Sequence, residues 1–198
     1  MPQIIVSDSE LIAGNTVKVQ ISIKNNPGIA SMKLNLAFDP TVLELKEIEY
    51  NATIGGQSQL PQDYRNPVIL NWFNGSANST GDFAFATLTF EVAKNATAGS
   101  STKIVVTYNE NDIYNIKEEN IAFHVSGGEL TVIDYMPGDI NNDGSVNNKD
   151  VTRLFQHLSN WNVEVNESAL DVNGDGSVNN RDLTRLFQFV SGWDVQIH

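Results

Sequence analysis

Two stretches near the C-terminus place oxygen-bearing side chains at the same fixed intervals. "DINNDGSVNNKD" begins at Asp139 and offers Asp139, Asn141, Asp143, Asn147 and Asp150 at positions 1, 3, 5, 9 and 12. Gly144 stands at position 6, and Ser145 at position 7 would contribute its backbone carbonyl. "DVNGDGSVNNRD" repeats the arrangement with Asp171, Asn173, Asp175, Gly176, Ser177, Asn179 and Asp182. The chemistry is that of a hard cation, which takes about six to eight oxygens at about 2.3–2.6 Å. Alternate residues of a tight loop point inward, a glycine allows the sharp sixth-place turn, and a last carboxylate closes the shell. Many protein oxygens favour calcium over magnesium, which keeps more of its waters. Two copies in register imply two Ca2+.

The spacing is that of an EF-hand loop, with Asp rather than Glu at position 12. Each loop runs into a helical pattern. Val151, Leu154, Phe155, Leu158 and Trp161 recur at near-helical spacing, as do Leu183, Leu186, Phe187, Val190 and Trp193. These stripes predict a two-helix core. Asp150 and Asp182 fall at helix N-termini, where a carboxylate is favoured by capping and by the helix dipole. "MPG" leads directly into the first loop, so the units are loop–helix rather than helix–loop–helix. Aligning 138–161 with 170–193 gives 16 identities in 24 positions. A module of about sixty residues has a small core, so metal binding should be coupled to its folding.

The other face of each helix is duplicated as well. Asn148, Lys149, Thr152, Arg153, Gln156 and His157 correspond to Asn180, Arg181, Thr184, Arg185, Gln188 and Phe189. A solvated face needs no such duplication. Two nearly equivalent surfaces related by a pseudo-twofold are expected.

Residues 3–134 have a different grammar. Short apolar runs such as "VKVQISIK", "MKLNLAF", "PVILNWF", "ATLTFEV", "KIVVTY", "IAFHV" and "GELTVI" alternate with turn signals such as "NNPG" and "NGSANSTGD". This predicts an all-β sandwich or jelly roll. Met32, Leu34, Leu36 and Phe38 share one strand face, and Lys33, Asn35 and Ala37 the other. Val68, Leu70 and Trp72 oppose Ile69, Asn71 and Phe73, with Asn71 marking the wetter face. The grammar changes at "DYMPGD". The expected organisation is a β domain over 3–134, a short linker at 135–137, and a small all-α calcium-binding domain of two loop–helix (F-hand) repeats over 138–195, with repeats at 139–161 and 171–193.

The net charge is −12, and both parts of the chain are acidic. Nucleic acid and anionic membrane surfaces are therefore poor partners, and no apolar run approaches the roughly 20 residues needed to span a bilayer. With no cysteine, disulfides, thiolate metal sites and Cys nucleophiles are excluded.

The duplicated "D-x-N-x-D-G-S-x-N-x-x-D" loops, each followed by "TRLFQ", resemble a type I-like dockerin. That resemblance implies two calcium ions and docking onto cohesins, β-sandwich modules of bacterial cellulosome scaffolds. The first region resembles a cohesin through "AGNTVKVQISIKNNPGIASMKLNLAFDPTVLEL", "GDFAFATLTFEVAKNATAG" and "SGGELTVID". It implies a jelly-roll sandwich with a dockerin-binding sheet face at Ser31, Lys33, Asn35, Ile69, Asn71, Phe73 and Asn74. Ser31 and Lys33 depart from an Asn/Asp pair of some members. Together the resemblances imply a secreted or cell-surface-associated, non-catalytic adaptor scaffoldin. It would bind a dockerin-bearing protein through the β domain and dock onto the cohesin of another scaffoldin in a polysaccharide-degrading complex. The alternative is a carbohydrate-binding module tethered by a dockerin, which calls for a planar row of exposed aromatics. An enzyme is disfavoured, because no paired carboxylates can be placed and His124 lies in a strand-like run.

Overall fold

Alternation of apolar and polar side chains builds the first part of the molecule. The computed structural model describes residues 1–198 and divides into two units, Met1–Val132 and Ile133–His198. Thirteen strands run in order: β1 (Gln3–Val6), β2 (Ser9–Ile12), β3 (Thr16–Lys24), β4 (Ser31–Ala37), β5 (Leu43–Tyr50), β6 (Gln57–Gln59) and β7 (Val68–Phe73). They continue with β8 (Phe83–Val92), β9 (Ser101–Lys103), β10 (Val105–Thr107), β11 (Ile113–Tyr114), β12 (His124–Gly127) and β13 (Glu129–Ile133). One sheet has the order β12-β1-β3-β8-β5, a second the order β10-β4-β7-β6 with β11 beside β4, and a third the order β2-β13-β9. The result is a β-sandwich.

Met32, Leu34, Leu36 and Phe38 enter the core, as do Val68, Leu70 and Trp72. Lys33, Asn35 and Ala37 alternate outward as half-buried residues. The indole of Trp72 donates to the Gly55 carbonyl at 2.8 Å, so its one polar atom is satisfied inside. "KIVVTY" does not form one strand. It breaks at buried Ile104, whose N–H donates to Gly128 O at 2.8 Å, and its halves join different sheets. Gly127 (φ +82) makes the close approach to β1 possible, since a Cβ there would lie 2.0 Å from Val6 O.

The second unit contains α1 (Asn148–Leu158) and α2 (Asn180–Val190). Each is closed by a capping box in which Asn147 or Asn179 is the cap and Asp150 or Asp182 returns the bond. Its buried apolar cluster is Ile140, Leu154, Ala169, Leu170, Val172 and Leu186. Each helix contributes one fully buried apolar side chain. The loops contribute Ile140 and Val172, and the connection between the repeats contributes the rest.

This corrects the two-helix core expected from the stripes. Phe155 (52 % exposed), Phe187 (54 %), Trp161 (59 %) and Trp193 (60 %) all stand in solvent. The reason is the carboxylate at loop position 12. Asp150 and Asp182 must turn toward their loops, which draws in the residues four and eight places later on the same helical face. Those are Leu154 and Leu158 in α1, and Leu186 and Val190 in α2. Phe155 lies five residues from Asp150, about 140° round the helix, and is thereby turned away.

The duplication also continues beyond the helices. Asn166 N donates to Ile140 O at 2.9 Å, and His198 N donates to Val172 O at 3.1 Å, 32 residues later at both ends. Val165 and Ile197 pack against the core at matching places. Each repeat thus ends in a short return segment laid against its own loop.

Candidate functional site

The two loops hold their carboxylates with backbone N–H groups. Asp139 Oδ1 accepts from Asp143 N at 3.0 Å and its Oδ2 from Gly144 N at 2.8 Å. In the second loop Asp171 Oδ1 accepts from Gly174 N at 3.0 Å and Asp175 N at 3.1 Å, and Oδ2 from Gly176 N at 2.8 Å. Gly144 and Gly176 have φ of +82° and +81°, the left-handed turn for which glycine is suited. At position 12, Asp150 accepts from Asn141 N (3.1 Å) and Asn147 N (2.9 Å). Asp182 accepts from Asn173 N (3.1 Å) and Asn179 N (2.8 Å), and also from the Asn173 amide at 2.7 Å. The Asn147 and Asn179 amides donate to the Ser145 and Ser177 carbonyls at 3.3 and 3.1 Å. Hydrogen bonds thus link the sequence-predicted residues within each loop.

Charge tests whether these residues fit a cation. Asp139 is 2 % exposed, and Asp150 and Asp182 are fully buried. None of the three makes an ion pair; Lys149 pairs with Asp143 (3.2 Å) and Arg181 with Asp175 (3.8 Å). A buried carboxylate without a counter-charge is costly, and a divalent cation would supply that charge. No three acidic or imidazole side chains converge alone as a preformed cluster. Asn side chains and Ser carbonyls would have to complete any shell, an all-oxygen set suited to calcium.

The outward faces of α1 and α2 carry Asn148, Lys149, Thr152, Arg153 and Gln156, and Asn180, Arg181, Thr184, Arg185 and Gln188. The sole acidic residue in each helix is its buried Asp. His157 is half-buried, whereas its counterpart Phe189 is 38 % exposed. Arg153 donates to Glu164 O at 2.8 Å, a bond that Arg185 does not reproduce. Sequence reasoning missed Phe155 and Phe187, which flank these polar residues. The position-12 geometry described above was the signal that could have found them.

In the β unit, register places the predicted sheet-face residues side by side: Ser31 opposite Phe73, Lys33 opposite Asn71, and Asn35 opposite Ile69. Ile69 and Phe73 are 42 % and 51 % exposed. Asn74 ends the strand, its N–H donating to Ala30 O at 2.7 Å. β6 extends this face with Gln57 beside Phe73 and Gln59 beside Asn71, and β10 adds Thr107 beside Asn35. These flanks were not anticipated. "QSQ" has no apolar alternation to mark it as a strand. Leu60 lines a groove with Ile69 and Asn71 at the edge of the face.

Residues 2–132 match the family model of the cohesin domain. The chain belongs to the cohesin family. A dockerin type I domain follows, matched over residues 137–191. Neither is a catalytic module, and type I dockerins bind calcium. The chain is 29% identical over 130 residues to cellulose-binding protein A of Clostridium cellulovorans, an alignment covering 61% of this chain and 7% of that relative. The chain thus spans only a small part of the curated relative's length. Among solved structures it is similar to a type I cohesin–dockerin complex of Clostridium thermocellum, Coh-OlpC with Doc435. There the TM-score is 0.60 and the identity 19%, with 68% of this chain and 95% of that one covered. The seventh ScaB type I cohesin of Pseudobacteroides cellulosolvens gives TM-score 0.57 and 23% identity over 69% of this chain and 94% of that one. A non-cellulosomal cohesin of the archaeon Archaeoglobus fulgidus gives 0.55 and 20% over 67% and 91%. At these identities the structures establish the sandwich fold.

Proposed function

We propose that this chain is a non-catalytic adaptor scaffoldin with one receiving module and one docking module. The observation that carries the reading is the presence of a cohesin and a dockerin in a single chain. The cohesin receives a dockerin-bearing protein on the face formed by Ser31, Lys33, Asn35, Ile69, Asn71, Phe73 and Asn74. The dockerin docks onto the cohesin of another scaffoldin through the outward residues of α1 or α2. Two Ca2+ are held by the two loops, where they neutralise carboxylates and fix the helix N-termini. We read the complex as extracellular and directed at polysaccharide degradation, a reading supported by the likeness to a cellulose-binding protein. A carbohydrate-binding role for the sandwich finds no support in its aromatics. Trp72 is buried, which leaves Phe73 as the aromatic of the β7 face.

The test is a binding measurement of the full chain against separate dockerin-bearing and cohesin-bearing proteins of the same source, with and without EDTA. Docking through the helical module should vanish with EDTA, while capture of dockerins by the β module persists. Failure to bind any protein of either class would overturn the adaptor reading.

A further inference from the structure

Both helices begin with a cation where a cation is unfavourable. Lys149 and Arg181 occupy the second residue of α1 and α2, within the first turn, where the helix dipole disfavours positive charge. Each is held by the carboxylate at position 5 of its own loop. Lys149 Nζ donates to Asp143 Oδ2 at 3.2 Å, and Arg181 Nη1 lies 3.8 Å from Asp175 Oδ2. The same two side chains stand on the outward face, with 75% and 82% of their side-chain surface exposed. Each therefore belongs to a metal loop and to a docking face at once.

We propose that Lys149 and Arg181 tune the calcium loops. Each draws on a ligand carboxylate and places a positive charge beside the cation's site, so it holds the affinity of its loop down. This rests on the calcium reading above. Lys149 has the closer contact and the larger effect.

The experiment is a calcium titration of the full chain against a chromophoric chelator, with far-UV circular dichroism to check folding. At low ionic strength Lys149→Gln should tighten the first loop about fivefold, a change expected of one charge near a divalent ion in water. Arg181→Gln should tighten the second loop by less. Lys149→Glu should tighten more than Lys149→Gln, and Lys149→Arg should match the parent. At about 1 M salt, where the screening length is about 3 Å, the differences should collapse. A chain that takes up no calcium overturns the calcium reading and this inference together. A chain that binds calcium while Lys149→Gln and Arg181→Gln bind no tighter, or bind more weakly, overturns this inference alone.

Discussion

The cohesin and dockerin modules solve the stability problem in opposite ways. The sandwich buries 28 apolar side chains in one contiguous cluster, whereas the helical unit buries six and adds three buried carboxylates. The first can fold on hydrophobic burial alone. The second has half its length, and two of its six core residues, Ile140 and Val172, sit inside the loops that the carboxylates organise. Its core cannot close unless those loops close. A small domain of this kind is expected to gain more from a bound ion than a large sandwich would.

The largest expected effect would separate the modules outright. EDTA should abolish the helical circular-dichroism signal while the near-ultraviolet signal of buried Trp72 persists. Retention of the helical signal in EDTA would break the comparison. Next in size is removal of a position-12 carboxylate. Asp150→Ala or Asp182→Ala orphans at least two part-buried N–H groups, at up to about 1–3 kcal/mol each, and should lower calcium stoichiometry from two to one in calorimetry.

Core truncations sharpen the contrast. Leu154→Ala and Leu70→Ala both create cavities worth about 2–5 kcal/mol. In the six-residue core this should unfold the helical module at ambient temperature. In the sandwich it should only lower the melting temperature. The smallest stability effect belongs to the exposed aromatics. Phe155→Ala and Phe187→Ala should shift stability by less than about 0.5 kcal/mol while weakening docking. A loss above about 2 kcal/mol on thermal melting would mean that these rings are core after all.

Much was legible in the residues themselves, but unevenly. The loops could be read because oxygen ligands at fixed intervals have few other uses. Strand faces could be read because side chains alternate along a strand wherever no bulge intervenes. Met32, Leu34 and Leu36 went inward as expected, and Ile69 and Phe73 went outward. The helix faces were misread because Leu154 and Phe155 are adjacent, equally apolar, and both fit a helical stripe. β6 was missed because "QSQ" gains its strand character from β7 alone.

The sequence by itself determined the order of the two modules, the alternation of the sandwich, the 32-residue repeat and the oxygen-rich loops, all of which are local or periodic properties of the chain. Tertiary structure decided what depends on direction. It turned Phe155, Phe187, Trp161 and Trp193 to solvent and brought Lys149 onto Asp143. It also laid the return segments ending at Asn166 and His198 against their loops. The physical reason is that each buried carboxylate has to face its loop. That single requirement sets the rotation of its helix, and apolar periodicity cannot override it.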